Sequence, residues 1–296
     1  VKVKVKVKVK VKVKVKVKIR EGAMQKSIPL KVMSFNMKRN YFAFGDNRWA
    51  YRTQLIAAII KNNKPDIIGT QELTAESLND MLAILPEYSY VGNGRNGEDK
   101  GEYTAVFYLK DKFEVEAHST FWLSSTPQKP SRAWMAAFPR ICTTCTLSLK
   151  DNSNQKINIF NTHLDHLSYL ARINGLKLIT RKMEEQYEKC AAPVLLMGDF
   201  NATPSSKTLT KWCQELLLQR AFSLEDAYAK KHGERARQIG RSYHGFKGKV
   251  VGKPIDYIFA SHDIEIQDIE ICRDKINERF PSDHYPVVAR LGWACR

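Results

Sequence analysis

The sequence predicts an α/β fold in which β-sheets pack against each other and helices cover the outside. Three observations predict it. Runs with strand texture outnumber runs with helical spacing. The helices fall between strands without the strict alternation of a wound parallel sheet. No Gly/Ser/Pro-rich linker divides the chain after residue 30, so one domain over residues 30–296 is expected within the 296-residue chain.

Residues 1–18 are nine Val-Lys pairs. On a strand this alternation puts the valines on one face and the lysines on the other. Such a ribbon is able to add to a sheet edge and so pair chains. It also reads as a simple repeat kept open by lysine repulsion. Residues 1–29 are therefore set apart as a tail and linker with no part in catalysis. Residues 31–37 (KVMSFNM) read as a strand ending on Asn36. Residues 48–62 carry apolar side chains at helical spacing (Trp49, Leu55, Ile56, Ile59, Ile60), and Pro65 stops them. The DIIGT run at 66–70 reads as a buried strand leading to Gln71 and Glu72, and 75–85 as a helix ended by Pro86. Strands follow at 88–92, 104–109, 113–122, 140–149 and 156–162. Residues 169–188 form the longest helical pattern. A strand at 194–197 runs into Gly198-Asp199-Phe200-Asn201, and 205–218 is a further helix. Residues 255–260, 265–272 and 287–291 close the fold as strands. The stretch 230–253 is basic and glycine-punctuated and reads as a long loop.

The formal net charge is +17, but residues 1–20 hold nine lysines and Arg20 without an acid. The rest of the chain carries 38 basic and 31 acidic residues, which is mildly basic. That balance suits a polyanion such as nucleic acid and suits a solvated surface equally. No apolar run approaches the ~20 residues of a membrane span. The N-terminus lacks the apolar core of a signal peptide. A cytoplasmic protein is expected, unless an export signal precedes this chain. Of six cysteines, Cys142 and Cys145 form a CxxC with no second pair at zinc spacing. Residues three apart on a strand point to opposite faces, so shared metal ligation is not expected, and reduced, packed thiols are.

Four predicted strands end on a polar or acidic residue where the apolar run stops: Asn36, Glu72, Asp199 with Asn201, and Asp256. His163 follows a fifth, and Asp283-His284 precede the last. Taken singly each has a bland reading. Gly-Asp-Phe-Asn is turn-prone, Ser282-Asp283 caps turns, a lone His284 is often structural, and Glu72 could be a loop acid. Six such signals at six element ends point to a site. Hydrolysis of an anionic phosphate ester needs this chemistry: a hard cation on carboxylate and amide oxygens, a base for water, and neutral donors where charge develops. Glu72 is the first candidate ligand, with Asn36 and Asp283 beside it. Asp199 and the pair Asp256–His284 are candidate bases. Asn201 and His163 are candidate phosphate donors.

The ordered motifs Ser-Phe-Asn (34–36), Thr-Gln-Glu (70–72), Gly-Glu-Tyr (101–103), Asn-Thr-His-Leu (161–164), Gly-Asp-Phe-Asn (198–201), Ile-Asp-Tyr-Ile (255–258) and Ser-Asp-His-Tyr-Pro (282–286) resemble the endonuclease/exonuclease/phosphatase superfamily, which includes deoxyribonuclease I-like enzymes. The stretch from Phe121 through Trp134 to Arg140 resembles a compact bacterial branch. The resemblance implies a four-layer α/β/β/α sandwich of two mixed β-sheets flanked by helices. It implies Mg²⁺ or Mn²⁺ held mainly by Glu72, with Asn36 and Asp283 near it. Asp256 would orient His284, and Asp199 would orient or deprotonate water. Asn201 and His163 would touch phosphate, and Glu102, Tyr103 and Arg140 would line the cleft. Whether the base is the Asp199 carboxylate or the His284 imidazole stays open. The expected substrate is a phosphodiester, DNA or RNA foremost, with the aromatics Tyr41, Phe42, Phe44 and Trp134 as candidate base-stacking groups. The alternatives are a phosphomonoester of a small or lipid-linked molecule, and a binding module that kept the fold.

Overall fold

The computed structural model describes residues 27–38, 45–216 and 222–294. The Val-Lys tail and Tyr41, Phe42 and Phe44 lie outside the described residues, and with them the readings of tail pairing and of stacking on those three rings.

One mixed sheet holds six strands in the order β11-β12-β1-β2-β4-β3. These are β1 (Ser27–Asn36), β2 (Ile67–Gln71), β3 (Tyr88–Val91), β4 (Val106–Leu109), β11 (Ile264–Ile271) and β12 (Val287–Ala294). The second sheet runs β5-β6-β7-β8-β10-β9. Its strands are β5 (Phe113–Trp122), β6 (Ile141–Leu149), β7 (Asn152–His163), β8 (Val194–Asp199), β9 (Leu224–Asp226) and β10 (Asp256–Ser261). The helices are α1 (Trp49–Asn63), α2 (Ala75–Ile84), α3 (Tyr169–Lys189), α4 (Lys207–Leu216), α5 (Ala227–His232) and α6 (Ala236–Ile239). The expected elements are present with ends moved by a few residues. The stretch read as a long loop is instead partly helical, because Asp226 caps α5 by accepting from the N–H groups of Tyr228 and Ala229.

Three apolar clusters define four layers. Between the sheets, Leu30, Val32 and Ile67 meet Ile159, Leu195, Met197 and Ile258. Met33, Phe35 and Ile68 face outward onto α1 and α2. Phe160, Leu196 and Phe259 face outward onto α3 and α4. Strand alternation is the cause: odd and even residues go to opposite faces, and both faces are buried. The CxxC obeys it, with Cys145 between the sheets and Cys142 on the helix side.

The helices start and stop on local chemistry. Thr74 and Ser77 form a reciprocal capping box at α2, and the Ser168 side chain accepts from Ala171 N–H at α3. Lys64, at φ 49°, closes α1 with its N–H on Ile60 O, ahead of Pro65.

Alternation also aims the strand ends. Leu195 and Met197 lie between the sheets, so Asp199, two residues on, emerges at the same interlayer seam. The same count leads from Val32 to Asn36, from Ile159 to His163 and from Ile258 back to Asp256. Register then brings these positions level. Asp199 pairs with His163 across the parallel β7–β8 ladder and with Asp256 across the antiparallel β8–β10 ladder. Gly198 makes this approach possible. At φ 142°, a Cβ there would sit 1.9 Å from Thr162 O, a contact with backbone that no side chain tolerates.

Candidate active site

A cleft of about 330 Å³ opens where the two sheets end. Its lining includes Lys38, Glu72, His163, Asp199, Asn201, Asp283 and His284, together with Arg95, Glu102, Phe138, Arg140 and His166. Thus Asn36, Glu72, His163, Asp199, Asn201, Asp256, Asp283 and His284, from six chain segments, converge at or just beneath one surface.

Below the cleft a polar seam joins the sheets. The Gln71 amide donates to Asn161 Oδ1 at 2.8 Å, and the Asn161 amide donates to the carbonyls of Thr70 and Ala105. These buried bonds hold Glu72 and His163, each one or two residues away, in fixed relation. Lys38, Glu72 and Asn201 carry positive φ of 58°, 65° and 47°. Backbone strain in non-glycine residues collects at functional sites.

Asn36 is placed as a donor. Its Nδ2 lies 3.1 Å from both Glu72 Oε1 and Asp199 Oδ2, while its Oδ1 accepts from Lys38 N–H. An amide between two carboxylates turns its N–H groups toward them. The Gly-Asp-Phe-Asn turn does two jobs. Asp199 Oδ1 accepts from Asn201 N–H at 2.8 Å, an Asx turn, and Oδ2 faces the cleft. Phe200 turns the other way, into Trp212, Tyr257 and Phe259. The Asn201 amide donates to Leu164 O.

Asp256 Oδ2 and His284 Nδ1 are 2.9 Å apart, and His284 Nε2 lies 3.7 Å from Asp199 Oδ2. His163 Nε2 lies 3.6 Å from the same oxygen. Burial, with the Asp256 charge next, pushes the Asp199 acid up to about 7. Burial alone would lower His284. The charge and hydrogen bond of Asp256, then the charges of Asp199 and Asp283, outweigh it and push the imidazole up to about 10. Burial and the Arg140 charge hold His163 well below the usual imidazole range, so it is neutral. Arg140 Nε is 3.5 Å from Asp165 Oδ2 and its Nη2 is 3.0 Å from His166 Nδ1. Arg95 meets Glu102 at 2.6 Å. Tyr103 does not line the cleft. It is 1% exposed, and its hydroxyl bonds the exposed Asp99 at 2.8 Å. Trp134 lies outside the lining as well. Among the described residues, the aromatic side chains that do line the cleft are Phe138 and Tyr243, the latter packed on His284 with centroids 5.0 Å apart.

Asp199, Asp256 and His284 offer ligand atoms within 4.8 Å of one another. Yet the 2.9 Å bond to Asp256 already occupies His284 Nδ1, the mark of an oriented pair rather than of a ligand set. The carboxylates of Glu72 and Asp283 supply hard oxygens at the cleft surface, and acids outnumber the lysine and arginines lining it. Such a donor set fits a divalent cation and, without one, repels a phosphate.

Sequence reasoning missed Arg52. It is fully buried on α1 and donates to the carbonyls of Asn47, Met37, Lys38 and Pro281 at 2.6–3.0 Å. It thereby ties the chain after Asn36 to the chain before Asp283. Its signal was a lone arginine on the apolar face of a helix, beside Trp49 and Ile56.

Residues 33–284 match the model of the Endonuclease/Exonuclease/phosphatase family. The chain belongs to that family. It is a hydrolase of phosphate esters, in a family that typically depends on a divalent metal. A solved structure of an endonuclease/exonuclease/phosphatase family protein from Bacteroides thetaiotaomicron is 31% identical, covering 91% of this chain and all of that one, with a TM-score of 0.79. A mannosyl-6-phosphatase from Bacteroides thetaiotaomicron is 32% identical, covering 88% of this chain and 99% of that one, with a TM-score of 0.78. The 2′,5′-phosphodiesterase 12 of Bos taurus is 24% identical over 288 residues; the match takes in 82% of this chain and 46% of that protein. Among the described residues no helix is long and apolar enough to cross a membrane.

Proposed function

We propose that this member of the family is a Mg²⁺- or Mn²⁺-dependent phosphomonoesterase acting on a small phosphorylated molecule. The observation that carries the hydrolytic reading is one carboxylate oxygen, Asp199 Oδ2, accepting from Asn36 Nδ2 at 3.1 Å with the Nε2 atoms of His163 and His284 3.6 and 3.7 Å away. A cation held by Glu72, with Asp283 beside it, would neutralise the phosphate and stabilise the leaving oxygen.

The chain's own groups divide the remaining work. With its acid near 7, Asp199 is the group able to take a proton from water near neutrality. His284 is held protonated by Asp256 and donates to phosphate oxygens. Neutral His163 and the Asn201 turn support the charge that builds up on those oxygens. Asp256 keeps the imidazole in one orientation.

The monoester preference draws on the compact cleft and on the similarity to the mannosyl-6-phosphatase. The phosphodiester reading, with DNA or RNA as substrate, draws on the similarity to the 2′,5′-phosphodiesterase. The test is a rate panel of sugar phosphates, inositol phosphates, p-nitrophenyl phosphate and oligonucleotides with and without EDTA. Monoester turnover abolished by EDTA and restored by Mg²⁺ or Mn²⁺ is expected. Faster turnover of oligonucleotides, with binding that weakens steeply in salt, would replace monoester by diester. Full activity in EDTA would remove the metal.

A further inference from the structure

The cleft lining also holds two guanidiniums that the hydrolytic chemistry does not use. Arg95 lies 2.6 Å from the buried Glu102 carboxylate. Arg140 lies 3.5 Å from Asp165. Burial works against the Asp165 charge, but the N–H groups of Ser168 and Ala137, with Arg140, keep it ionised. Lys38, the further cation lining the cleft, is 3.2 Å from Asp283. Among the described residues, every lysine and arginine of the lining therefore has its own carboxylate. Phe138 stacks on His166 with centroids 6.0 Å apart and an 18° tilt, and the Arg95 guanidinium lies 4.6 Å over its ring.

This pairing selects among leaving groups. A second phosphate gains little from an arginine that is already neutralised, and it meets the Glu102 carboxylate at close range. A hydroxyl gains twice, since a carboxylate accepts from it while a guanidinium or imidazole N–H donates to its oxygen. A ring that carries several hydroxyls also has an apolar C–H face, which an aromatic side chain covers. We propose that Arg95, Glu102, Phe138, Arg140 and His166 form the leaving-group subsite, and that it takes a neutral, hydroxyl-rich ring of sugar type rather than a second anionic group. The proposal rests on the phosphomonoesterase reading.

The test follows hydrolysis of a hexose 6-phosphate, a hexose 1,6-bisphosphate and p-nitrophenyl phosphate at saturating Mg²⁺, in the wild type and in Glu102→Gln and Phe138→Ala. The wild type should prefer the 6-phosphate to the bisphosphate by about tenfold or more in kcat/KM. Glu102→Gln should shrink that preference about tenfold and lower the ratio of hexose phosphate to p-nitrophenyl phosphate turnover by a similar factor. Phe138→Ala, on the rim, should lower the second ratio alone. Equal losses on all three substrates, or unchanged ratios in both variants, overturn the subsite. A wild type that turns over none of the three defeats the monoesterase reading instead. The subsite is then read by saturation-transfer NMR with free hexose. Transfer to the ring protons that disappears in Phe138→Ala upholds it, and no transfer overturns it.

Discussion

At one wall of the cleft Asp199, Asp256 and His284 lie buried with two acids facing one imidazole. At the other, Arg95 meets Glu102 and Arg140 meets Asp165, one cation to one anion. Both walls are made of ionisable side chains taken out of water. The difference lies in stoichiometry. A buried pair that balances satisfies both members, whereas an extra acid must either hold a proton or wait for a cation. The unbalanced wall is thus suited to move protons, and the balanced wall to recognise neutral groups.

The comparison breaks first at Asp199. Asp199→Asn keeps the shape and removes the proton acceptor, so kcat at saturating Mg²⁺ should fall about 10³-fold; a loss under tenfold would move the base elsewhere. The same residue governs stability against pH in EDTA. A carboxyl raised to about 7 stays protonated in the fold while the unfolded chain ionises near 4. Its contribution is therefore lost as pH rises from about 4 to about 7. His284, raised to about 10, contributes stability that is complete below its unfolded value and is lost as pH climbs toward 10. Urea denaturation at several pH values should show stability declining across this range, and Asp199→Asn should flatten the lower part. A stability that rises between pH 4 and 7 in a manner dependent on Asp199 would contradict the imbalance.

Arg52 extends the contrast to a buried cation hydrogen-bonded to carbonyls, with the charges of Asp283 and Glu72 favouring it. Arg52→Leu leaves four acceptors short of a donor and should lower stability by about 2–4 kcal/mol. It should also weaken Mn²⁺ binding measured by calorimetry, because the segments bearing Asn36 and Asp283 lose their tie. Unchanged Mn²⁺ affinity would make it structural only. The smallest effect is expected at Tyr103→Phe, which removes one bond to Asp99. About 1 kcal/mol of stability should go, with KM unchanged within about twofold; a larger KM change would return Tyr103 to the cleft.

Much of this site was legible before any coordinates, and the reason is alternation. The apolar beat of Leu195 and Met197 runs on to Asp199, and that of Ile157 and Ile159 to His163, so each polar residue inherits the face of the core residues before it. Tyr103 had no such beat. It follows Gly-Glu in a loop, and only the tertiary structure shows that the phenol bonds Asp99 while Glu102 turns to Arg95. Arg95, Phe138, His166 and Tyr243 also sit on loops, where side-chain direction has no period to follow. Residues 230–239, the first part of the stretch read as a loop, are helical instead, and their helices are too short to show a repeat.

The sequence by itself determined which residues reach the ends of the strands and on which face, because side-chain direction along a strand obeys a local rule. Tertiary structure alone decided which charges became partners. Asp199 beside Asp256, Arg95 beside Glu102 and Arg52 beneath Pro281 are matters of sheet register and loop packing. Proton affinity and charge balance depend on distances of a few ångströms between segments far apart in the chain.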